Sequence, residues 1–120
     1  MAGFEKLVIW QRAMGLVPRV YRVARTLPRD EIFGLMSQMK RAAISIPSNI
    51  AEGYARRGRR DFARFVSNAQ GSLAELLTQL LITMDLGYMK PRRLTSIMNE
   101  IEELSRMLNA TRRKLLIPNP

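Results

Sequence analysis

Residues 38–62 read QMKRAAISIPSNIAEGYARRGRRDF, and this stretch decides the fold because it carries a striped helix into a turn dense in arginine. On a helical wheel Met39, Ala43, Ile46 and Ile50 fall on one face, with Ile32 and Met36 continuing it upstream. That face is built to be buried. Gln38, Arg41, Ser45, Asn49 and Glu52 recur at steps of three and four and make a polar face roughly 150° round from the apolar one. Two organised faces point to two neighbours. Pro47 has no N–H for the carbonyl of Ala43 and its ring crowds that turn, a cost of about 3 kcal/mol if nothing compensates. The sequence therefore predicts a kink, with Ser45, Ser48 and Asn49 reaching the freed carbonyls. Gly53 is the expected stop, or Gly58 if the helix runs on through Tyr54 and Ala55.

Working outward, Leu7, Trp10, Met14, Val17, Tyr21 and Ala24 step by three or four and predict a helix over about residues 5–26, bent at Pro18, with Trp10 as a core anchor. Thr26-Leu27-Pro28 reads as a turn, with Pro28 opening the second helix and Asp30 and Glu31 suiting its dipole. After the arginines, Phe62, Phe65, Val66, Ala69, Leu73, Leu76, Leu80 and Met84 mark a third helix over about 60–86. Leu77, Leu81 and Ile82 widen its apolar arc beyond one seam, which predicts a subunit interface unless the third and fourth helices wrap more of each other. Gly87 ends that helix and Pro91 starts the fourth, whose stripe is Leu94, Ile97, Ile101, Leu104, Leu108 and Leu115. Arg106, Arg112, Arg113 and Lys114 crowd its end, where cations suit the dipole, and the tail Ile117 to Pro120 cannot continue it. The expectation is an all-α fold with four helices in a single domain, residues 1–120, without repeats or linkers.

Composition narrows the function classes. The chain has 120 residues, with twenty Lys and Arg against ten Asp and Glu and no histidine, a formal charge of +10 that favours polyanions. With neither cysteine nor histidine, disulfides, thiolate metal sites and the commonest general base are excluded. Glu52, Asp61, Glu75 and Asp85 are too dispersed to make a metal or hydrolytic centre, so no enzyme, metal or cofactor is expected. The amino terminus lacks the apolar core of a signal peptide and no run approaches a membrane span, which makes the cytoplasm the expected compartment.

The block Ser45-Ile46-Pro47-Ser48-Asn49-Ile50-Ala51-Glu52-Gly53 is followed by arginines, then Phe62, Phe65, Ala69, Gly71-Ser72-Leu73 and Glu75. With Leu7, Trp10, Ala13 and Tyr21 before it, and Pro28, Glu31, Leu35, Gln38 and Arg41 entering the second helix, it resembles a known family over nearly the whole chain. That family was first met as proteins encoded in intervening sequences of bacterial 23S ribosomal RNA genes, and its superfamily takes in the accessory (Avd) proteins of diversity-generating retroelements, which partner a reverse transcriptase. The resemblance implies an antiparallel up-down four-helix bundle, assembling as a ring-like homo-oligomer, commonly a homopentamer, with a basic surface suited to nucleic acid. Leu77 stands where many relatives carry a second acid after the Glu75 position, which removes a paired carboxylate and leans this helix toward packing.

Arg56, Arg57, Arg59, Arg60 and Arg64 are the candidate nucleic-acid contacts. Guanidinium forks hold phosphate oxygens in pairs, and four arginines within five residues repel one another unless an anion is near. The plain alternative is a solvated charged loop. Only Tyr54 neighbours the arginines in sequence, which argues against stacking on splayed bases and for the backbone of structured RNA or an RNA–DNA duplex. Gln38, Arg41, Glu52 and Glu75 are the candidate polar network that fixes helix register, the alternative being free solvation of each. The functional expectation is an adaptor that docks RNA onto a ribosomal particle or a reverse transcriptase. The competing one is an interaction module that meets an acidic protein and no nucleic acid.

Overall fold

The computed structural model describes residues 3–118 and is all-helical: α1 (Val8–Arg25), α2 (Leu35–Ala55), α3 (Arg59–Asp85) and α4 (Pro91–Leu116), with short 3₁₀ turns at Phe4–Lys6 and Arg29–Glu31. Among the described residues there is no strand. Asn119 and Pro120, the end of the tail expected to be non-helical, lie outside the described residues. The molecule is a rod of 52 × 24 × 20 Å in which α1 packs on α2, α2 on α3 and α3 on α4, and α4 closes back onto α1. One core runs along its axis through Leu16, Val20, Met39, Ile46, Ile50, Leu73, Leu76, Leu80, Leu94, Ile101, Leu104 and Leu108. At about 25 cal/mol per Å² of apolar surface, each such side chain contributes roughly 1.5–3 kcal/mol on burial.

The first helix turns its core face one step away from the expected stripe. Ile9, Ala13, Leu16 and Val20 are buried, and Ala24 is buried as expected, whereas Leu7, Trp10, Val17 and Tyr21 are half-buried and Met14 is exposed. Both stripes are apolar, and the wheel alone cannot say which meets the core and which lies at its margin. Trp10 consequently sits at the edge of the core and not at its centre, its ring 5.4 Å from that of Phe4.

The second helix starts later than Pro28 promised. Residues 29–31 make a 3₁₀ turn, Gly34 is the N-cap, and the chain becomes α-helical at Leu35. The Leu35 amide donates to Glu31 Oε1 at 3.1 Å, so Glu31 caps the helix from outside it. Ile32, expected on the buried stripe, is 44% exposed and Phe33 is 96% exposed, because both precede the helix whose period placed them.

Both α1 and α2 continue as helix through Pro18 and Pro47. Around Pro47 the Ser45 hydroxyl donates to the Ala42 carbonyl, Ser48 to that of Ile44 and Asn49 Nδ2 to that of Ser45. These bonds flank the gap and none goes to the Ala43 carbonyl that proline leaves free. The third and fourth helices match expectation within a residue. At the end of α3, Gly87 takes φ 77° while its amide donates to Met84 and that of Tyr88 to Thr83, which satisfies the last carbonyls.

Polar contacts fix the helices against one another. Arg12 of α1 donates from Nε to Glu100 Oε1 at 2.7 Å and sits 3.0 Å from Glu103 Oε2, both on α4. The paired hydrogen bond from Arg12, more than the opposing effect of burial, holds the Glu100 carboxyl below the usual carboxylate range. Arg19 donates to Ser96 at 2.7 Å farther along the same seam. At the connectors, the Tyr88 hydroxyl donates to Glu31 Oε2 at 3.0 Å. That bond raises the Tyr88 pKa, since the phenol must keep its proton to donate it.

Candidate nucleic-acid interface

The arginine turn is tight because α2 and α3 approach closely just before it. A Cβ added to Gly53 would lie 2.6 Å from Phe65 Cβ, so Gly53 serves close packing and does not stop the helix. The helix runs on to Ala55, and the left-handed residue that follows it is Arg57, with φ 62°, one position before Gly58. Gly58 has φ −115° and is the N-cap of α3, with no capping side chain.

The five expected arginines divide into three roles. Arg56 pairs with Glu52 at 3.2 Å and lies 5.1 Å from the centre of the Phe65 ring. Arg64 pairs with Asp61 at 3.3 Å and lies 4.7 Å from the same ring centre. Arg59 donates from Nη2 to the Lys114 carbonyl at 2.7 Å and from Nε to that of Leu115 at 3.2 Å, so it caps the end of α4. Arg57 and Arg60 are exposed and make no side-chain hydrogen bond or ion pair among the described residues. Of the five, they are the most available to a ligand.

The bonds of Arg59 have a larger consequence, because they set the basic end of α4 beside the turn. Arg112, Arg113 and Lys114 thereby join Arg56, Arg57, Arg59, Arg60 and Arg64 at one end of the rod, with Glu52 and Asp61 as the carboxylates paired there. Composition could suggest such a surface. The up-down topology that the resemblance implies puts the α2–α3 turn and the end of α4 at one end, and the bonds of Arg59 bring the two clusters into contact there.

A cleft of about 560 Å³ opens at this end, lined by Gly53, Tyr54, Ala55, Arg57, Gly58, Arg59, Phe62 and Leu115. The Tyr54 and Phe62 rings meet edge to face, with centroids 5.9 Å apart. Aromatic surface is therefore richer here than the linear neighbourhood showed: Phe62 and Phe65 sit one and two turns into α3 and reach the arginines only through folding.

The expected polar network is rearranged. Gln38, Arg41 and Glu75 line one groove between α2 and α3, together with Ser45, Ser72 and Gln79. The Ser45 and Ser72 hydroxyls are hydrogen-bonded to each other, whereas no hydrogen bond or ion pair joins Gln38, Arg41 or Glu75 to one another among the described residues. Glu52 is not in that groove; it pairs with Arg56 one helical turn on. Gln79, which the stripes did not single out, is the buried member, and its Oε1 has no hydrogen-bond partner among the described residues.

Besides Ile32 and Phe33, two patches of exposed apolar surface lie on the helix faces. A shallow groove on the α1–α2 side is lined by Trp10, Met14, Val17, Ile44, Pro47, Ser48 and Ala51, with Met14 and Ile44 exposed to 43% and 45%. On α3, Leu81 and Ile82 are exposed, while Leu77 packs partly onto the core. Among the described residues no helix is long and apolar enough to cross a membrane, and no group of three or more acidic side chains could hold a metal ion.

Fold and site together define a small four-helix protein with a strongly cationic end. The chain belongs to the 23S rRNA-intervening sequence protein family, whose sequence profile matches residues 5–110. No relative is found among curated proteins.

Proposed function

We propose that this protein is a non-catalytic, self-associating adaptor whose basic end grips the phosphate backbone of structured RNA or of an RNA–DNA duplex. The observation that carries this is the pair of hydrogen bonds from Arg59 to the end of α4, because it joins two cation clusters into one surface. Membership of a family named for ribosomal RNA insertions supports RNA as the polyanion. Contacts of this kind fix position and carry no base code. The resemblance to intervening-sequence proteins and to retroelement accessory proteins supports docking of that RNA onto a ribosomal particle or a reverse transcriptase.

Filter binding of structured RNA across a salt series tests the proposal. Arg57→Gln with Arg60→Gln should flatten the log–log salt slope by about 2, at roughly 0.9 for each phosphate no longer neutralised. Arg59 is a poor target, since its removal would fray α4. Unchanged affinity and slope in the double variant would exclude the turn. Tight binding of a polyglutamate chain with none of RNA would instead establish the acidic-protein reading.

Self-association is the second part of the proposal: antiparallel, up-down chains joined through their two apolar patches. Two different patches on one chain make heterologous contacts, and where the rotation closes these form rings such as the homopentamer the resemblance implies. Light scattering should then report a multiple of 13.8 kDa. Met14→Glu with Ile44→Glu, or Leu81→Glu with Ile82→Glu, should return the mass to a single chain. A monomeric wild type would refute it.

A further inference from the structure

We propose that the cleft bounded by Tyr54, Phe62 and Arg57 receives a single unstacked nucleobase of the bound RNA, with the adjoining phosphate on Arg57 and Arg60. The inference rests on the RNA-binding reading and deepens it, because backbone contact alone gives the cleft no task.

Three features of the cleft converge on this ligand. Its lining is mixed, with the Tyr54 and Phe62 rings and Leu115 giving apolar surface and Arg57 and Arg59 giving cations at the margin. A nucleobase has the matching character: flat apolar faces, a polar edge and a phosphate one sugar away. An aliphatic ligand would leave the guanidinium groups unused, and a carboxylate would leave the rings unused. The cleft, at about 560 Å³, has room for one nucleotide and none for a duplex.

The third feature is Arg57. It is the one residue other than glycine with positive φ among the described residues, at 62°, and it makes no side-chain bond there. Strain of this kind persists where the surroundings impose it, often at ligand sites. Left-handed geometry at this position is easier for glycine, and glycine stands one residue later. Holding an unpaired arginine there, at the lip of an aromatic cleft, places a cation where the phosphate of an inserted base would pass.

A short single-stranded RNA carrying one 2-aminopurine, set beside a blunt RNA duplex, provides the test. Wild type and Tyr54→Phe should change the 2-aminopurine fluorescence on binding. Tyr54→Ala should abolish that change and weaken single-strand binding about ten-fold, with duplex affinity and both salt slopes unaltered. Gly58→Leu is a second variant that does not disturb packing, because Gly58 has an ordinary φ of −115° and open space where a side chain would start. It should narrow the cleft and suppress the fluorescence change in the same way.

If both variants keep the fluorescence change and the single-strand affinity while Arg57→Gln with Arg60→Gln still flattens the duplex salt slope, the cleft inference falls and the backbone reading stands. Failure of the wild type to bind either RNA would overturn both. Displacement of single-stranded RNA by polyglutamate with equal ease from wild type and Tyr54→Ala would likewise overturn the base-binding role.

Discussion

Gly53 and Phe65 meet where α2 packs on α3: a Cβ on the glycine would stand 2.6 Å from the Cβ of the phenylalanine. This approach holds the two helices together just before the turn that carries the arginines.

Gly53→Ala is expected to lower stability by about 1–2 kcal/mol, because overpacking at a rigid Cβ outweighs the gain of about 1 kcal/mol that alanine brings to a helix. A urea melt measures it. Stability equal to wild type would mean the two helices part freely.

Arg57→Gly should do the reverse. Relief of the left-handed backbone is worth roughly 1–2 kcal/mol, partly offset by the freedom glycine gains in the unfolded chain, so a net rise of up to about 1 kcal/mol is expected. The urea midpoint should move up while RNA affinity falls. Separation of the two readouts would show that the arginine is held there at the expense of stability.

The Arg12–Glu100 pair gives a pH dependence with a definite sign. The folded-state pKa of Glu100 is depressed, so its contribution is present above the unfolded-state value, about 4.3, and is lost as pH falls through the folded one. Glu100→Gln should cost about 0.5–1 kcal/mol at neutral pH, the modest size expected of a partly exposed pair. Melts of both proteins should converge in acid. A gap that persists at low pH would assign the difference to packing.

Glu75→Leu probes the polar network expected among Gln38, Arg41, Glu52 and Glu75. A buried network would make the change costlier than a typical surface substitution. With Glu75 exposed and without a bonded partner among the described residues, the expected effect lies within about 0.5 kcal/mol. A larger drop in thermal stability would restore Glu75 to a structural role.

The cores of α3 and α4 were legible in the sequence because one apolar stripe dominates each, although on α3 Leu77, Leu81 and Ile82 flank that stripe and Gln79 and Thr83 are buried beside it. The end of α3 and the start of α4 were legible too, since Gly87 and Pro91 act through their own backbones. Three features were not. On α1, two adjacent apolar stripes compete, and only the positions of its neighbours select Ile9–Ala13–Leu16–Val20 over Trp10–Met14–Val17. At residues 28–34 the cap comes from Glu31, whose carboxylate also accepts from Tyr88, a bond that links residues 57 apart. At the candidate site, the sequence by itself determined the charge and the density of arginine, properties of composition and spacing. Tertiary structure alone decided that Arg59 is occupied by α4, that Arg57 and Arg60 are not, and that Phe62 joins Tyr54 in a cleft. Those outcomes depend on which chain segments share one end of the rod, and helical periodicity, which relates a residue only to its own helix, is blind to that.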